Sequence, residues 1–153
     1  MNKLLLKGGT VVAEGVSRKA DVLVADGVIA AIGETLVADA DTEVFDAEGC
    51  VVTYGLADVH VHLREPGYSV KETIATGTRA CARGGVTTVC SMPNLQPAPD
   101  APETIAVQQQ MIDEQAVIEV LPFATISSNR AGRELADIEA LRDLSLSRSS
   151  PSM

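Results

Sequence analysis

Asp58-Val59-His60-Val61-His62-Leu63-Arg64 holds both histidines of the chain and alternates polar with apolar residues. Side chains on a β-strand alternate between its two faces. Read as a strand, the run places Ala57, Val59, Val61 and Leu63 on one face and Asp58, His60, His62 and Arg64 on the other. The apolar face belongs against a core. The opposite face then presents two imidazoles, a carboxylate and a guanidinium to a cleft. Histidines at i and i+2 of a strand can reach one metal ion, because their rings stand side by side. Two exposed histidines on an ordinary strand is the competing reading of that spacing.

Downstream, strands and helices alternate. Glu65-Pro66-Gly67 reads as a turn. Ser69 and Glu72 have the spacing of a capping box that opens a helix through about Ala82, and Gly84-Gly85 supplies its stop. Val86-Thr87-Thr88-Val89-Cys90-Ser91 is rich in β-branched residues and reads as the next strand. Met92-Pro93-Asn94 begins a proline-rich loop to Asp100. Asp100, Pro102 and Glu103 then open a second helix through about Asp113. Ala116 to Phe123 reads as a third strand and Arg133 to Arg142 as a third helix. Strand starts recur about every 30 residues, the length of a β-strand with its crossover helix. The fold class is therefore α/β. The implied object is the N-terminal part of a (β/α)8 TIM barrel, about three β/α units of the eight that close one. His60 and His62 fall at the C-terminal end of its first strand, where the active sites of such barrels lie.

Residues 1–54 precede this array as a small β-sandwich-like module. Ala20–Ala25 and Val28–Ile32 flank Asp26-Gly27, a strong hairpin signal because a type I′ turn needs positive φ at both central residues. Thr42–Asp46 and Cys50–Thr53 read as a second strand pair around Ala47-Glu48-Gly49. Residues 55–143 then form the incomplete barrel portion. The Ser-rich stretch 144–153 breaks the pattern, and a disordered tail or a truncated, frame-shifted continuation is expected there.

Composition narrows the function. At 46% hydrophobic and 22% charged, the 153-residue chain is built to bury a core, and with few aromatics that core is aliphatic. A net charge of −9 without a basic block repels phosphate backbones, which excludes nucleic acid as a partner. No apolar run approaches the roughly 18 residues of a membrane span, and the first residues make too short a run for a signal peptide. A soluble, cytoplasmic protein is expected. Cys50, Cys81 and Cys90 are odd in number and form no C-x-x-C pair, so buried thiols are expected rather than a disulfide framework or a cysteine zinc site.

The run Asp58-Val59-His60-Val61-His62-Leu63-Arg64-Glu65-Pro66-Gly67 also resembles the amidohydrolase superfamily and, within it, the dihydroorotases. Gly84-Gly85-Val86-Thr87-Thr88 and Met92-Pro93-Asn94 match the same family, as does a small β-module leading into the first barrel strand. The resemblance spans roughly residues 1–143. It implies a zinc-dependent enzyme of pyrimidine biosynthesis that interconverts dihydroorotate and N-carbamoyl-aspartate. It makes His60 and His62 metal ligands, and Arg64 and Asn94 the holders of the substrate carboxylate. A guanidinium fork and an amide suit that task. Asp58 orients a ligand from behind, or serves as a salt bridge or strand-end cap.

In that family zinc polarises the ring amide and activates water, and an aspartate from a late strand shuttles the proton. One or two zinc ions are implied for the full-length family, and weak or no zinc binding for this length of chain. The bridging lysine or aspartate, two further histidines and the shuttling aspartate of the family have no counterpart here, so the catalytic residue is left unassigned. Cys90 as a third ligand is conceivable, but a core thiol is the plainer reading. Tyr54-Gly55 stands where the family usually has Pro-Gly. The isolated chain is expected to be inactive and to carry an open strand edge that favours association. Expected partners are the small-molecule substrate, a second copy in a homodimer, or aspartate transcarbamoylase. The last would fit a non-catalytic scaffold, for which the intact His60, His62, Arg64 and Asn94 are a poor match. A hydantoinase- or allantoinase-like cyclic amidohydrolase is the third reading, and the Arg64 and Asn94 pair argues for dihydroorotase over it.

Overall fold

The structure, a computed structural model, describes residues 2–147; Met1 and the Ser-rich positions 148–153 lie outside the described residues. The chain forms two compact units that divide between Tyr54 and Gly55.

The first unit is built around β1 (Lys3–Ala13), which pairs antiparallel with β2 (Val16–Ala25), and β2 pairs antiparallel with β3 (Val28–Gly33). Asp26 and Gly27 at the β2–β3 turn have φ of 50° and 80°, the left-handed pair that the tight hairpin demands. The expected hairpin between the next two strands does not form. β4 (Thr42–Asp46) and β5 (Val51–Val52) both lie parallel to β1, against Lys3–Lys7 and Thr10–Val11 respectively. The intervening bend carries the chain onward along one edge of β1 instead of reversing it. Ala47 N–H donates to the Lys7 carbonyl, and Thr10 N–H donates to the Cys50 carbonyl. The sandwich-like layering expected of this module is, among the described residues, a single five-stranded sheet in the order β3-β2-β1-β4, with β5 also on β1. Val11, Ala20 and Val22 form its buried centre, with Leu6, Val24 and Val52 packed against them. Asp21 is buried beside that centre, at 3% exposure. Its carboxylate accepts the N–H groups of Leu36 at 2.9 Å and Gly8 at 2.8 Å, which hold it below the usual carboxylate range.

The second unit is a parallel sheet, β6 (Leu56–Val61), β7 (Val86–Ser91) and β8 (Glu119–Pro122), in the order β6-β7-β8. Helices α1 (Ile74–Arg83), α2 (Pro102–Gln115) and α3 (Ile138–Ser147) follow the strands in turn. Leu63, Ile74, Val89, Ile112 and Val120 form the core between sheet and helices. Parallel strands joined by helical crossovers need this covering of the sheet face.

Helix starts differ from the sequence expectation. Tyr68 N–H donates to the Arg64 carbonyl and Lys71 N–H to the Tyr68 carbonyl, so Ser69 lies within turns and caps nothing. The capping box is Thr73 with Thr76: the Thr73 hydroxyl accepts Thr76 N–H at 3.0 Å, and the Thr76 hydroxyl accepts Thr73 N–H at 3.3 Å. Glu72 lies beside it, its carboxyl lowered first by the Thr76 hydroxyl and then by the Thr73 N–H. The stop at Gly84-Gly85 is as expected, with Gly84 N–H on the Ala80 and Cys81 carbonyls.

At α2 the Thr104 hydroxyl accepts the N–H groups of Ala101 at 3.1 Å and Asp100 at 3.2 Å, the latter shared with the Ala98 carbonyl, and Asp100 does not cap the helix. The third helix starts later and runs further than expected, because Asp137 caps it by accepting Ala140 N–H at 3.0 Å. Residues 144–147, expected in the tail, are helical. Among the described residues no helix is long and apolar enough to cross a membrane.

The loops that leave the C-terminal ends of β6 and β7 are fastened together. Gln96 N–H donates to the Pro66 carbonyl at 3.2 Å, and Met92 N–H donates to the Val61 carbonyl at 2.8 Å. Gly67 makes this closeness possible: its φ is 102°, and a Cβ there would lie 2.4 Å from the Gln96 carbonyl oxygen.

Gly67→Ala should destabilise the chain by about 1–3 kcal/mol in urea unfolding. Gly132→Ala, at positive φ but in open space, should cost less; equal losses would mean that the loop contact is irrelevant. Asp21 has a lowered carboxyl in the fold, so its stabilisation is present above the unfolded carboxylate value of about 3.9 and is lost as pH falls through the folded value. The urea midpoint of Asp21→Asn should therefore lie below that of the parent at pH 7, and the gap should narrow on acidification below about pH 4.

Candidate active site

β6 does not run as an unbroken alternating strand. Asp58 pairs with Val89 but Val61 pairs with Ser91, so three steps on β6 match two on β7. This is a β-bulge, offset by the opposite irregularity between Leu56 and Ala57, so that from Leu56 to Val61 five steps on β6 match five on β7. Every residue from Leu56 to His60 is exposed on this outer strand, Val59 at 67%. The expected division into one apolar and one polar face is therefore not expressed there, whereas Leu63 is 2% exposed and sits in the core. The Asp58 carboxylate accepts the backbone N–H of His60 at 3.0 Å. Of its possible roles, the geometry shows a local one: it satisfies the backbone where the ladder is interrupted.

The bulge leaves the two imidazoles together. The ring centroids of His60 and His62 are 5.3 Å apart, with the planes at 68°. His62 lies one residue past the end of β6 and is half-buried. Its Nδ1 is 2.8 Å from Oδ1 of Asn94, in the loop after β7. A carboxamide oxygen only accepts, so Nδ1–H donates and Nε2 keeps its lone pair outward. That is the arrangement of a metal-ligating histidine, whose other ring nitrogen is held by an acceptor. Two imidazoles on one tetrahedral ion with bonds of about 2.0–2.1 Å have ring centres roughly 5 Å apart. The donor pair thus fits a zinc ion as two of its ligands. Among the described residues no group of three or more His, Cys, Asp or Glu comes together to hold one, so Cys90 does not join the pair as a third ligand.

Arg64 leaves the strand altogether. Its φ is 67°, so its place is set by the turn that follows β6 and not by strand alternation. It is half-buried, and among the described residues its guanidinium makes no hydrogen bond or ion pair with Asp58, the histidines or Asn94. The residue after it was not legible as part of the site. Glu65 is 6% exposed and its carboxylate accepts the Ile74 N–H at 2.8 Å, the first amide of α1. A carboxylate at a helix N-terminus is favoured by the unpaired amides there, and here it ties the turn carrying Arg64 to the core. Nothing in local spacing marks an acceptor nine residues ahead of its helix. Leu95, at 2% exposure, anchors the neighbouring loop next to Asn94. The structure thus brings His60, His62 and Asn94 together at the C-terminal end of the parallel sheet, with Asp58 behind them and Arg64 on the adjoining turn.

Comparison with known proteins bears on this site. The Dihydro-orotase-like family profile matches residues 49–147. The chain is 50% identical over 142 residues to a dihydroorotase of Halalkalibacterium halodurans, covering 92% of this chain and 33% of that protein. It is 47% identical over 137 residues to a dihydroorotase of Staphylococcus aureus, covering 90% and 32%. In fold it is similar to the solved L-hydantoinase (dihydropyrimidinase) of Arthrobacter aurescens, with a TM-score of 0.80, 22% identity and coverage of 96% of this chain and 31% of that one. The chain thus spans about a third of the length of the curated relatives it matches. Its architecture is that of the N-terminal β/α units of such barrels. With the profile covering most of its length and the paired histidines in place, the chain belongs to the dihydro-orotase-like family of cyclic amide hydrolases.

Proposed function

We propose that this chain carries the first-strand part of a zinc-dependent dihydroorotase site, for hydrolysis and cyclisation of the amide that separates dihydroorotate from N-carbamoyl-aspartate in pyrimidine biosynthesis. The observation that carries this reading is the His60–His62 pair with His62 held by Asn94. His60 and His62 would hold the metal through ring nitrogens. Bound there, zinc would polarise the scissile carbonyl and activate water. Arg64, on a turn anchored by Glu65, would grip the substrate carboxylate, with the Asn94 amide as a second donor. Asp58 satisfies the His60 backbone N–H at the bulge beside the two rings. The proton-transferring residue is not assigned within this chain, and as isolated it should turn over no substrate.

Identity of about half to dihydroorotases supports that substrate over hydantoin, although solved hydantoinases share the fold. The anionic small-molecule substrate and a cytoplasmic location follow from the same reading. A homodimer and an aspartate transcarbamoylase partner are carried by the family resemblance alone.

A chimera in which this chain replaces the aligned third of the Halalkalibacterium halodurans relative tests the proposal. It should hydrolyse dihydroorotate, and Arg64→Gln in it should raise KM about 10–100-fold, the loss of one hydrogen-bonded charge pair. Preference of the chimera for hydantoin would sink the reading. For the 153-residue chain alone, no turnover and weak zinc uptake are expected. His60→Ala and His62→Ala should each abolish that uptake in competition with a coloured chelator.

A further inference from the structure

We propose that Asn94 is a positioning residue for His62: it selects the ring tautomer that leaves Nε2 open to a metal, and it does so before metal or substrate arrives. The metal side of this inference rests on the function proposed above. The contact itself is short and placed on rigid supports. Nδ1 of His62 and Oδ1 of Asn94 are 2.8 Å apart, and both residues are half-buried. Each is followed by a leucine at 2% exposure, Leu63 and Leu95. The two loops are tied by Met92 N–H on the Val61 carbonyl and by Gln96 N–H on the Pro66 carbonyl.

The orientation of the amide decides the outcome. With Oδ1 facing the ring, Nδ1 must carry the proton and Nε2 is unprotonated. The amide NH2 then points away and can still donate to an anion. With the amide reversed, Nδ1 would accept, Nε2 would be protonated, and Oδ1 would face the same anion as an acceptor. One orientation serves a metal and a carboxylate together; the other opposes both. A single side chain thereby links a ligand of the metal to the group that reads the substrate's charge.

The chain has only two histidines, so long-range 1H–15N correlation of the 15N-histidine-labelled chain reads each tautomer without ambiguity, in the absence of metal, at about pH 8 where ordinary imidazoles are neutral. His62 should be the Nδ1–H tautomer. Among the described residues His60 has no side-chain acceptor on its ring, and it serves as the internal reference. Asn94→Ala should release His62 from that tautomer, and Asn94→Asp, which keeps an acceptor, should restore it. Zinc alone, titrated against a chelator, should bind about 10-fold more weakly to Asn94→Ala than to the parent.

A parent chain with His62 protonated on Nε2 overturns the proposal, and so does an unchanged tautomer in Asn94→Ala. Should Asn94→Ala fail to fold, the parent and Asn94→Asp spectra decide the matter. A tautomer change without a change in zinc affinity refutes the metal-positioning role and leaves the family reading intact. Absence of zinc uptake by the parent chain overturns the metal side of this inference, while the tautomers still decide what Asn94 does to His62.

Discussion

The hydrogen bond from the His60 backbone to the Asp58 carboxylate is the contact on which the site depends. A parallel ladder cannot absorb an extra residue without leaving a backbone donor unpaired. Asp58 supplies the missing acceptor from two residues away. With the bulge satisfied, the strand keeps its overall register on β7, five steps from Leu56 to Val61 matching five from Val86 to Ser91. Leu63 lies in the core next to His62, and both imidazoles stand at the mouth of the sheet. The polar residue that looked like part of a reactive face acts on the backbone of the strand that carries the histidines.

Much of the architecture was legible because it rests on local rules. The Asp26-Gly27 turn needs two positive φ values, and those residue types announce them. Gly84-Gly85 ends α1 for an equally local reason. The histidine pair was legible as a candidate ligand pair, and its closeness follows from a spacing that survives the bulge. What depended on distant partners was not legible. β4 and β5 read as a hairpin because a glycine lies between them, yet β1 offers both a longer edge, and pairing with it wins. Ser69 and Glu72 have the spacing of a cap. The turns from Arg64 to Lys71 consume Ser69, and Glu72 serves the Thr73–Thr76 box from outside.

The same division applies within the site. The place of Arg64 on the polar face was expected from strand alternation, but its φ of 67° shows that the turn, and not the strand, sets that place. That turn is held by the buried Glu65 on the first amide of α1 and by the close passage of Gly67 under Gln96. A buried carboxylate with an amide partner costs far less than an unpartnered one. Two loops that lie about 30 residues apart in sequence, one unit of a β/α array, are thereby joined next to both expected carboxylate-binding residues. Positioning of Arg64 and Asn94 is thus a property of loop-to-loop contact, which no pattern within either loop reveals.

The parallel sheet sets the remaining constraint. Among the described residues β6 and β8 each pair on one side only, with β7 between them. Leu56 and Val59 on β6 and Leu121 on β8 are exposed, as is Phe123 just past β8. Closed barrels of this class remove such edges by adding strands on both sides, and the curated relatives are about three times as long as the stretch matched here. Under the proposed reading the histidine pair has the same character as an open edge. Zinc in a catalytic site takes three protein ligands, so His60 and His62 would be completed by donors brought to the C-terminal ends of neighbouring strands, the end where His62 stands.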